Sequence, residues 1–166
     1  MNSDRGFSLI EVLLVMAILA VISSGAFMWL GGYRNATEVD SASKSMVSAL
    51  RTAQSFSVSG KDSRRWGVHF DSLNNKFTLF RDEGEGFDGM GAEIVTQKEE
   101  TLLSSYIKIN DILLSNSGAS EGVIFAKIKG GTAQNGTVRI EGINSGSICK
   151  EIKIDPSGLI GMRSCP

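Results

Sequence analysis

One carboxylate stands alone in the most apolar part of the sequence. Residues 7–30 carry a single charged side chain, that of Glu11, and residues 12–30 carry none. A carboxylate inside a bilayer costs about 3 kcal/mol even on a lenient insertion scale, so such a group usually has a partner or a function. The cost would be small if Glu11 lay at the level of the lipid headgroups, one helical turn from the start of the apolar run. Both interpretations of Glu11 remain open at this point.

Metal-binding chemistry finds little support elsewhere in the chain. The sequence has one His and two Cys, which argues against metal sites built from several such residues. A Gly-rich acidic loop at residues 82–91 offers carboxylates that could wrap Ca²⁺, a cation that prefers oxygen ligands: Asp82, Glu83, Glu85 and Asp88. Their spacing does not match the EF-hand loop, so the pattern favours a solvated loop over a calcium site.

The single histidine also lacks a catalytic setting. His69 alternates with Val68 and Phe70, so we expect it to face the opposite side of a strand. No nucleophile motif such as G-x-S-x-G accompanies it. We therefore expect a structural or surface histidine, no enzymatic activity and no cofactor.

The composition is typical of one ordinary domain. The chain has 166 residues, 42% of them hydrophobic, and a formal net charge of −1. That length can bury a core, and the apolar content argues against disorder. A nearly neutral chain has no global field that would attract a polyanion.

The segment that carries Glu11 is long enough to span a membrane. About 20 helical residues cross a hydrocarbon core of roughly 30 Å, and residues 7–30 exceed that length. Three interpretations compete: a cleaved signal peptide with small residues near Ala26, a plain signal anchor, and a segment in which Glu11 has a partner. The first is weakened because signal-peptide cores usually run only about 7–15 residues. The second leaves Glu11 unexplained.

The residues around Glu11 favour the third interpretation. The string Arg5-Gly6-Phe7-Ser8-Leu9-Ile10-Glu11-Val12, followed by the uncharged run, resembles the leader junction of type IV prepilins and type II secretion pseudopilins. The resemblance implies that a prepilin peptidase cuts between Gly6 and Phe7 and methylates the new amino terminus of Phe7. It also implies that Glu11 of one subunit neutralises the Phe7 amine of a neighbour during assembly. An α-amino group with a pKa near 8 is mostly cationic at neutral pH.

The same resemblance implies partners and a location. The chain would be a structural subunit of a type IV pilus or a type II secretion pseudopilus. Its partners would be other pilin or pseudopilin subunits, the prepilin peptidase, and the inner membrane with its assembly platform. The precursor would be a single-pass protein of the bacterial inner membrane with an exported head, which later enters the fibre.

The sequence downstream predicts an α+β fold. Apolar residues at spacings of three, four and seven give residues 31–57 one buried helical face: Val39, Ala42, Met46, Ala49, Leu50, Ala53 and Phe56. Beyond residue 57, alternation with period two predicts antiparallel strands near residues 66–71, 76–81, 106–109, 122–127, 136–141, 149–154 and 159–163. The expected organisation is a leader peptide (1–6), a transmembrane and assembly helix (7–30), an amphipathic helix (31–57) and a β-rich globular head (58–166). The long helix should pack on the antiparallel sheet.

A second, looser resemblance concerns the carboxyl-terminal half. Val123-Ile-Phe125, Gly130-Gly-Thr132, the strand 136–140 and Lys153-Ile-Asp-Pro-Ser-Gly158 resemble the head of the pseudopilin H and FimT-like minor pilin group. An exported head also permits disulfide formation. We predict that Cys149 and Cys165 are bonded, which would stabilise the fold by about 3 kcal/mol; two free thiols in a cytosolic protein are the alternative.

Two other functions remain open. A basic cluster could hold DNA phosphates, as in minor pilins of DNA uptake: Ser63-Arg-Arg-Trp66, Lys127, Lys129, Arg139, Lys150, Lys153 and Arg163. The near-neutral chain weakens that idea. Alternatively, the chain is a signal-anchored exported binding domain that never polymerises, which would need neither Glu11 nor the Gly6–Phe7 junction.

Overall fold

The computed structural model describes residues 8–82, 98–115, 121–143 and 145–165, apart from the side chains of residues 24–32, 98 and 145–147. Gly6, Phe7 and three of the acidic-loop residues (Glu83, Glu85 and Asp88) therefore lie outside the described residues. The chain divides into two compact units, Met1–Arg34 and Asn35–Pro166.

One long helix opens the described chain. Helix α1 spans Leu9–Ser59 and ends at Gly60, whose φ of 68° places it in the left-handed region that commonly terminates helices. A short 3₁₀ turn, Lys61–Ser63, follows. Within the second unit the predicted apolar face is confirmed: Val39, Ala42, Met46, Leu50 and Ala53 are buried, and Ala49 and Phe56 pack against them partly buried.

Eight strands form two antiparallel sheets. The strands are β1 (Arg65–Asp71), β2 (Lys76–Asp82), β3 (Lys98–Leu102), β4 (Ile107–Leu114), β5 (Gly122–Phe125), β6 (Gly136–Gly142), β7 (Ser145–Ile154) and β8 (Ile160–Ser164). The first sheet has the order β3-β2-β1-β5 and the second the order β4-β6-β7-β8. The predicted α+β fold is confirmed, with two four-stranded sheets where one was expected.

The strand predictions hold for the apolar strands and fail for the polar one. All seven predicted strands are present, but β3 was not predicted, because Lys98-Glu-Glu-Thr-Leu102 lacks apolar alternation. Strand β4 continues past the predicted end at residue 109, as far as Leu114. Strand β5 ends at Phe125 rather than at residue 127, because the chain turns at Ile128, which has a φ of 66°.

The core lies where α1 and both sheets contribute side chains. Inward-facing residues alternate along the strands, as the period of two requires. Those that are fully or almost fully buried include Val68, Phe70, Phe77, Ile107, Val123, Phe125, Val138, Ile140, Ile152 and Ile154. Burying each such side chain contributes about 1.5–3 kcal/mol, so this shared core accounts for much of the stability of the second unit.

One asparagine links the two sheets. Asn75 lies in the turn between β1 and β2 with a φ of 51°, a conformation that asparagine tolerates better than most residues. Its side-chain Nδ2 donates to the carbonyl of Ile107 (2.8 Å), and its Oδ1 accepts from the backbone N–H of Ile109 (3.2 Å). Its own carbonyl accepts from Leu103 (3.0 Å). The turn of the first sheet is thereby bonded to strand β4 of the second.

Candidate functional site

Glu11 lies at the beginning of α1. It is in the first turn of the helix, and its side chain is exposed in the isolated chain. The backbone N–H groups of Glu11 and Val12 donate to the carbonyl of Ser8 at 3.0 Å and 3.3 Å. A carboxylate in the first turn interacts favourably with the helix dipole, by about 0.3–1 kcal/mol. Local electrostatics therefore tolerate Glu11 here, and its exposed side chain is available to an outside cation.

The helix around Glu11 presents apolar side chains in all directions. Their exposed fractions range from 49% for Val15 to 79% for Leu9, and the set comprises Leu9, Ile10, Val12, Leu13, Leu14, Val15, Met16, Ile18, Leu19, Val21 and Ile22. An exposed apolar surface of this kind marks contact with a membrane or with another protein. Within the described residues, no helix combines the length and the apolar character needed to cross a bilayer.

A polar clamp holds the head against the later part of α1. Gln54 follows Leu50 by one helical turn, so it is a polar residue on the buried stripe. Its side-chain Nε2 donates to the carbonyls of Gly130 and Gly158, each at 2.9 Å. Gly130 belongs to the loop between β5 and β6, and Gly158 to the turn between β7 and β8. Sequence reasoning missed Gln54, although its place within an apolar stripe was a usable signal.

The two glycine turns also contact each other. Gly158 has a φ of +85°, and a Cβ there would lie 2.0 Å from the carbonyl oxygen of Gly130 and 2.4 Å from Nε2 of Gln54. The backbone N–H of Thr132 donates to the carbonyl of Pro156 at 3.0 Å. Gly130 and Gly158, which belong to the motifs of the looser resemblance, are therefore required because their backbones pack closely against each other and against Gln54.

A disulfide ties the carboxyl terminus to the second sheet. Cys149 of β7 is bonded to Cys165, which follows β8, and their Cα atoms are 5.7 Å apart. The structure thus contains the bond that the sequence predicted. Strand β8 is the last strand and lies at the edge of its sheet, so the bond holds an element that would otherwise fray at the terminus.

The acidic-loop prediction needs a correction at its first residue. Asp82 was assigned to a solvated loop, but it is the last residue of β2 and only 5% exposed. Its Oδ2 lies 2.6 Å from Nη2 of Arg65, the residue opposite it on β1. A buried carboxylate needs such a partner, which is why Asp82 pairs rather than facing solvent. Among the described residues no group of three or more His, Cys, Asp or Glu side chains could hold a metal ion.

The basic residues considered for DNA binding are not all on one face. On β7, successive side chains point to opposite sides, so Lys150 lies on the side of buried Ile140 and Ile152, away from Arg163. Arg163 donates to both carboxylate oxygens of Glu151 at 3.0 and 3.1 Å. Lys153 pairs with an aspartate, Asp155, at 3.0 Å. The proposed strip is therefore divided between two faces and partly neutralised.

His69 has a structural environment. It lies on β1 opposite Thr78 of β2, on the other face from Val68 and Phe70, and is partly buried. Burial lowers the pKa of His69 below its ordinary value, while Asp71 and Glu121 act in the opposite direction. The neutral imidazole is thus favoured in the folded chain.

Comparisons with known proteins agree with this arrangement. The prokaryotic N-terminal methylation motif matches residues 1–27. Among solved structures, the fold is similar to that of the minor pseudopilin EpsH from the type 2 secretion system of Vibrio cholerae, with a TM-score of 0.55 and 12% sequence identity over 76% of this chain and 97% of that chain. No curated protein matches the sequence. The motif and the fold together confirm the predicted resemblance to the type IV pilin and pseudopilin family.

Proposed function

We propose that this prepilin-like chain is a structural subunit that polymerises through its amino-terminal helix into a type IV pilus or a type II secretion pseudopilus. One observation carries the proposal: the exposed apolar start of α1, with Glu11 in its first turn, lies within residues 1–27, which match an N-terminal methylation motif. The fold likeness to a pseudopilin favours the pseudopilus of the two fibres. In this function the chain is the substrate of a peptidase and has no catalytic role of its own.

The proposed assembly depends on a charge created by processing. Cleavage after Gly6 frees the amino group of Phe7, and N-methylation leaves that group able to carry a positive charge. Glu11 of a neighbouring subunit then neutralises the amine as the helix leaves the bilayer. An unpaired buried charge is strongly destabilising, by about 3–5 kcal/mol, so subunits that pack out of register are penalised.

The expected partners and location follow from this assembly. The precursor would be anchored in the bacterial inner membrane, where the prepilin peptidase processes it, with its head exported. The apolar helices of several subunits would then cover one another's exposed side chains in the fibre. Head-to-head contacts would be made by residues of the second unit.

The amino terminus of the mature chain tests the proposal most directly. We expect intact mass and amino-terminal sequencing to show a chain that begins at methylated Phe7. A mature chain that keeps Met1, or one that begins near Ala26, would contradict the proposal and would favour a plain anchor or a cleaved signal peptide. An anchored domain that never polymerises would also leave no fibre to isolate.

Replacing Glu11 separates insertion from assembly. Glu11→Gln should leave membrane insertion intact and should strongly reduce incorporation into fibres, because the Phe7 amine of the neighbour loses its partner. Membrane fractionation and the subunit content of sheared fibres measure the two steps. Glu38→Gln makes the same chemical change farther along α1 and should not affect assembly. Equal incorporation of the Glu11→Gln and wild-type chains would exclude this role of Glu11.

A further inference from the structure

Two of the four sheet edges are covered by the chain itself, the β5 edge at Ile124 and Phe125 and the β4 edge at Ile107 and Ile109. At the β4 edge, the Asn75 side chain bonds the backbone of Ile107 and Ile109, and the register shifts just beyond Ile109. At the β5 edge, the side chain of Gln134 accepts from the backbone N–H of Ile124 at 3.2 Å, and Phe125 makes a bridge to Thr132. Such devices prevent an edge strand from pairing with another chain.

The other two sheet edges, those of β3 and β8, are not covered in this way within the described residues. Among the strands that the structure describes, β3 pairs only with β2 and β8 only with β7, each over five residues. Each of these edges is therefore a template for main-chain hydrogen bonds to an added strand.

The two open edges differ in charge. Beside β8 an open groove of about 550 Å³ runs along α1, with Val47, Phe56 and Met162 in its apolar lining and Arg51 in its polar lining. On β3 two acidic side chains are exposed. Glu100 pairs with Lys76 at 3.4 Å, whereas Glu99 lines a smaller cavity of about 210 Å³ beside α1. Neither Arg51 nor Glu99 has an ion-pair partner within the described part of the chain. Each thus presents an uncompensated charge next to an open strand edge.

We propose that β3 of one copy adds to the β8 edge of a second copy, with Glu99 facing Arg51 of the groove. Pairing of two β3 strands would bring like carboxylates together, and pairing of two β8 edges would bring two Arg51 groups together; both arrangements are disfavoured. Leu102 of β3, which is 75% exposed, points to the opposite face from Glu99, where Gly161 of β8 leaves open space.

This contact is heterologous, because the two copies use different surfaces. A heterologous contact does not close on itself by symmetry and extends into a ring or a helical filament. The inference thus rests on the proposed function and deepens it: it assigns the surfaces by which neighbouring heads meet in the fibre. The membrane helices would bring the heads together, and the strand addition would set their order.

Cysteine cross-linking in the full-length chain tests this arrangement. One tagged copy carries Leu102→Cys, and a differently tagged copy carries Gly161→Cys on β8, where a Cβ meets no atom within 4 Å. A short bismaleimide should link the two copies, whereas two Leu102→Cys copies or two Gly161→Cys copies should not be linked. The matched control replaces Leu102→Cys by Leu113→Cys, an exposed position on β4, a strand that the proposed contact does not use; it should give no product.

Charge reversal across the two copies adds a second test. Glu99→Lys in the Leu102→Cys copy, or Arg51→Glu in the Gly161→Cys copy, should reduce the cross-linked product roughly fivefold, the size expected of a charge pair at an interface rim. Both reversals together should restore the yield, because the pair is reformed between copies. Absence of this restoration, or equal product from the Leu113→Cys control, would overturn the proposal.

The outcomes also separate this inference from the proposed function. Fibre formation is scored on the unmodified chain. If fibres form but Leu102→Cys and Gly161→Cys copies are not linked, the strand addition is wrong while the proposed function stands. If the copies are linked but the unmodified chain forms no fibre, the strand addition is supported and the proposed function fails. If neither is seen, both are wrong.

Discussion

Gln54 offers the sharpest test of how the head is held together. Gln54→Met keeps the length and apolar stem of the side chain but removes the donor that serves the carbonyls of Gly130 and Gly158. Each hydrogen bond contributes about 0.5–1.5 kcal/mol net, and an acceptor left unsatisfied in a buried site costs more, so we expect a loss of about 2 kcal/mol. For a unit of roughly 130 residues, whose unfolding entropy is about 0.28 kcal/mol per kelvin, the Tm should fall by about 7 °C.

A second variant at the same position turns the clamp into a pH-dependent one. Gln54→Glu places a carboxyl group against the two glycine carbonyls, where only its protonated form can donate. The pKa of the introduced carboxyl should therefore be higher in the folded chain than in the unfolded chain. Its stabilising contribution is present below the unfolded pKa, about 4.3, and is lost as the pH rises through the folded pKa. The Tm deficit of this variant should be small at pH 4 and larger at pH 7.

Thermal unfolding of the detergent-solubilised full chain measures both variants. The fluorescence of Trp66, which is 4% exposed, reports on the core once Trp29→Phe removes the other indole. Ser55→Ala, one residue along α1 on the exposed face, is the control and should change the Tm by less than about 2 °C. A Tm of Gln54→Met within the error of the control would refute the view that this clamp stabilises the head.

Three further predictions concern the same unit. Gly158→Ala should destabilise the head by about 2–4 kcal/mol in urea unfolding, because the new Cβ collides with the carbonyl of Gly130 and the left-handed φ is strained; an unchanged midpoint would contradict the packing described. Replacing Cys149 and Cys165 together by Ser should lower stability by about 3 kcal/mol, and a thiol titration of the native exported protein should find no free thiol. Because burial lowers the pKa of His69, its neutral form stabilises the fold above the ordinary histidine pKa, and that contribution is lost as the pH falls below it. His69→Gln should flatten this dependence between pH 7 and 5 in thermal unfolding, and an unaltered slope would argue against it.

The features that could be predicted from the sequence are those determined by residues close together along the chain. The apolar run with its single Glu11 and the string around Gly6 and Phe7 are local patterns, and both lie in the part of the chain that matches the N-terminal methylation motif, residues 1–27. The buried stripe of α1 repeats with the period of a helix, and seven strands alternate with the period of a sheet. Such periodicities arise because one face of each helix or strand is buried, and they are the same whichever other element buries that face.

Other features depend on which elements meet, and no local pattern specifies that. Strand β3 is polar and exposed, so only its pairing with β2 identifies it as a strand. The sequence alone predicts Asp82 in a solvated loop, because only the structure shows that Arg65 lies opposite it on β1.

The sequence by itself determined an apolar amino-terminal segment in which Glu11 is the one charge of residues 7–30, within residues that match an N-terminal methylation motif, followed by a β-rich head. Only the tertiary structure decided the division into two sheets, the linking role of Asn75 and the clamp of Gln54 on two distant glycine turns. The physical reason is how far apart in the sequence the interacting residues lie. Periodicity records the burial of a face over a few residues, whereas a hydrogen bond between residues 76 or 104 positions apart depends on how the whole chain packs.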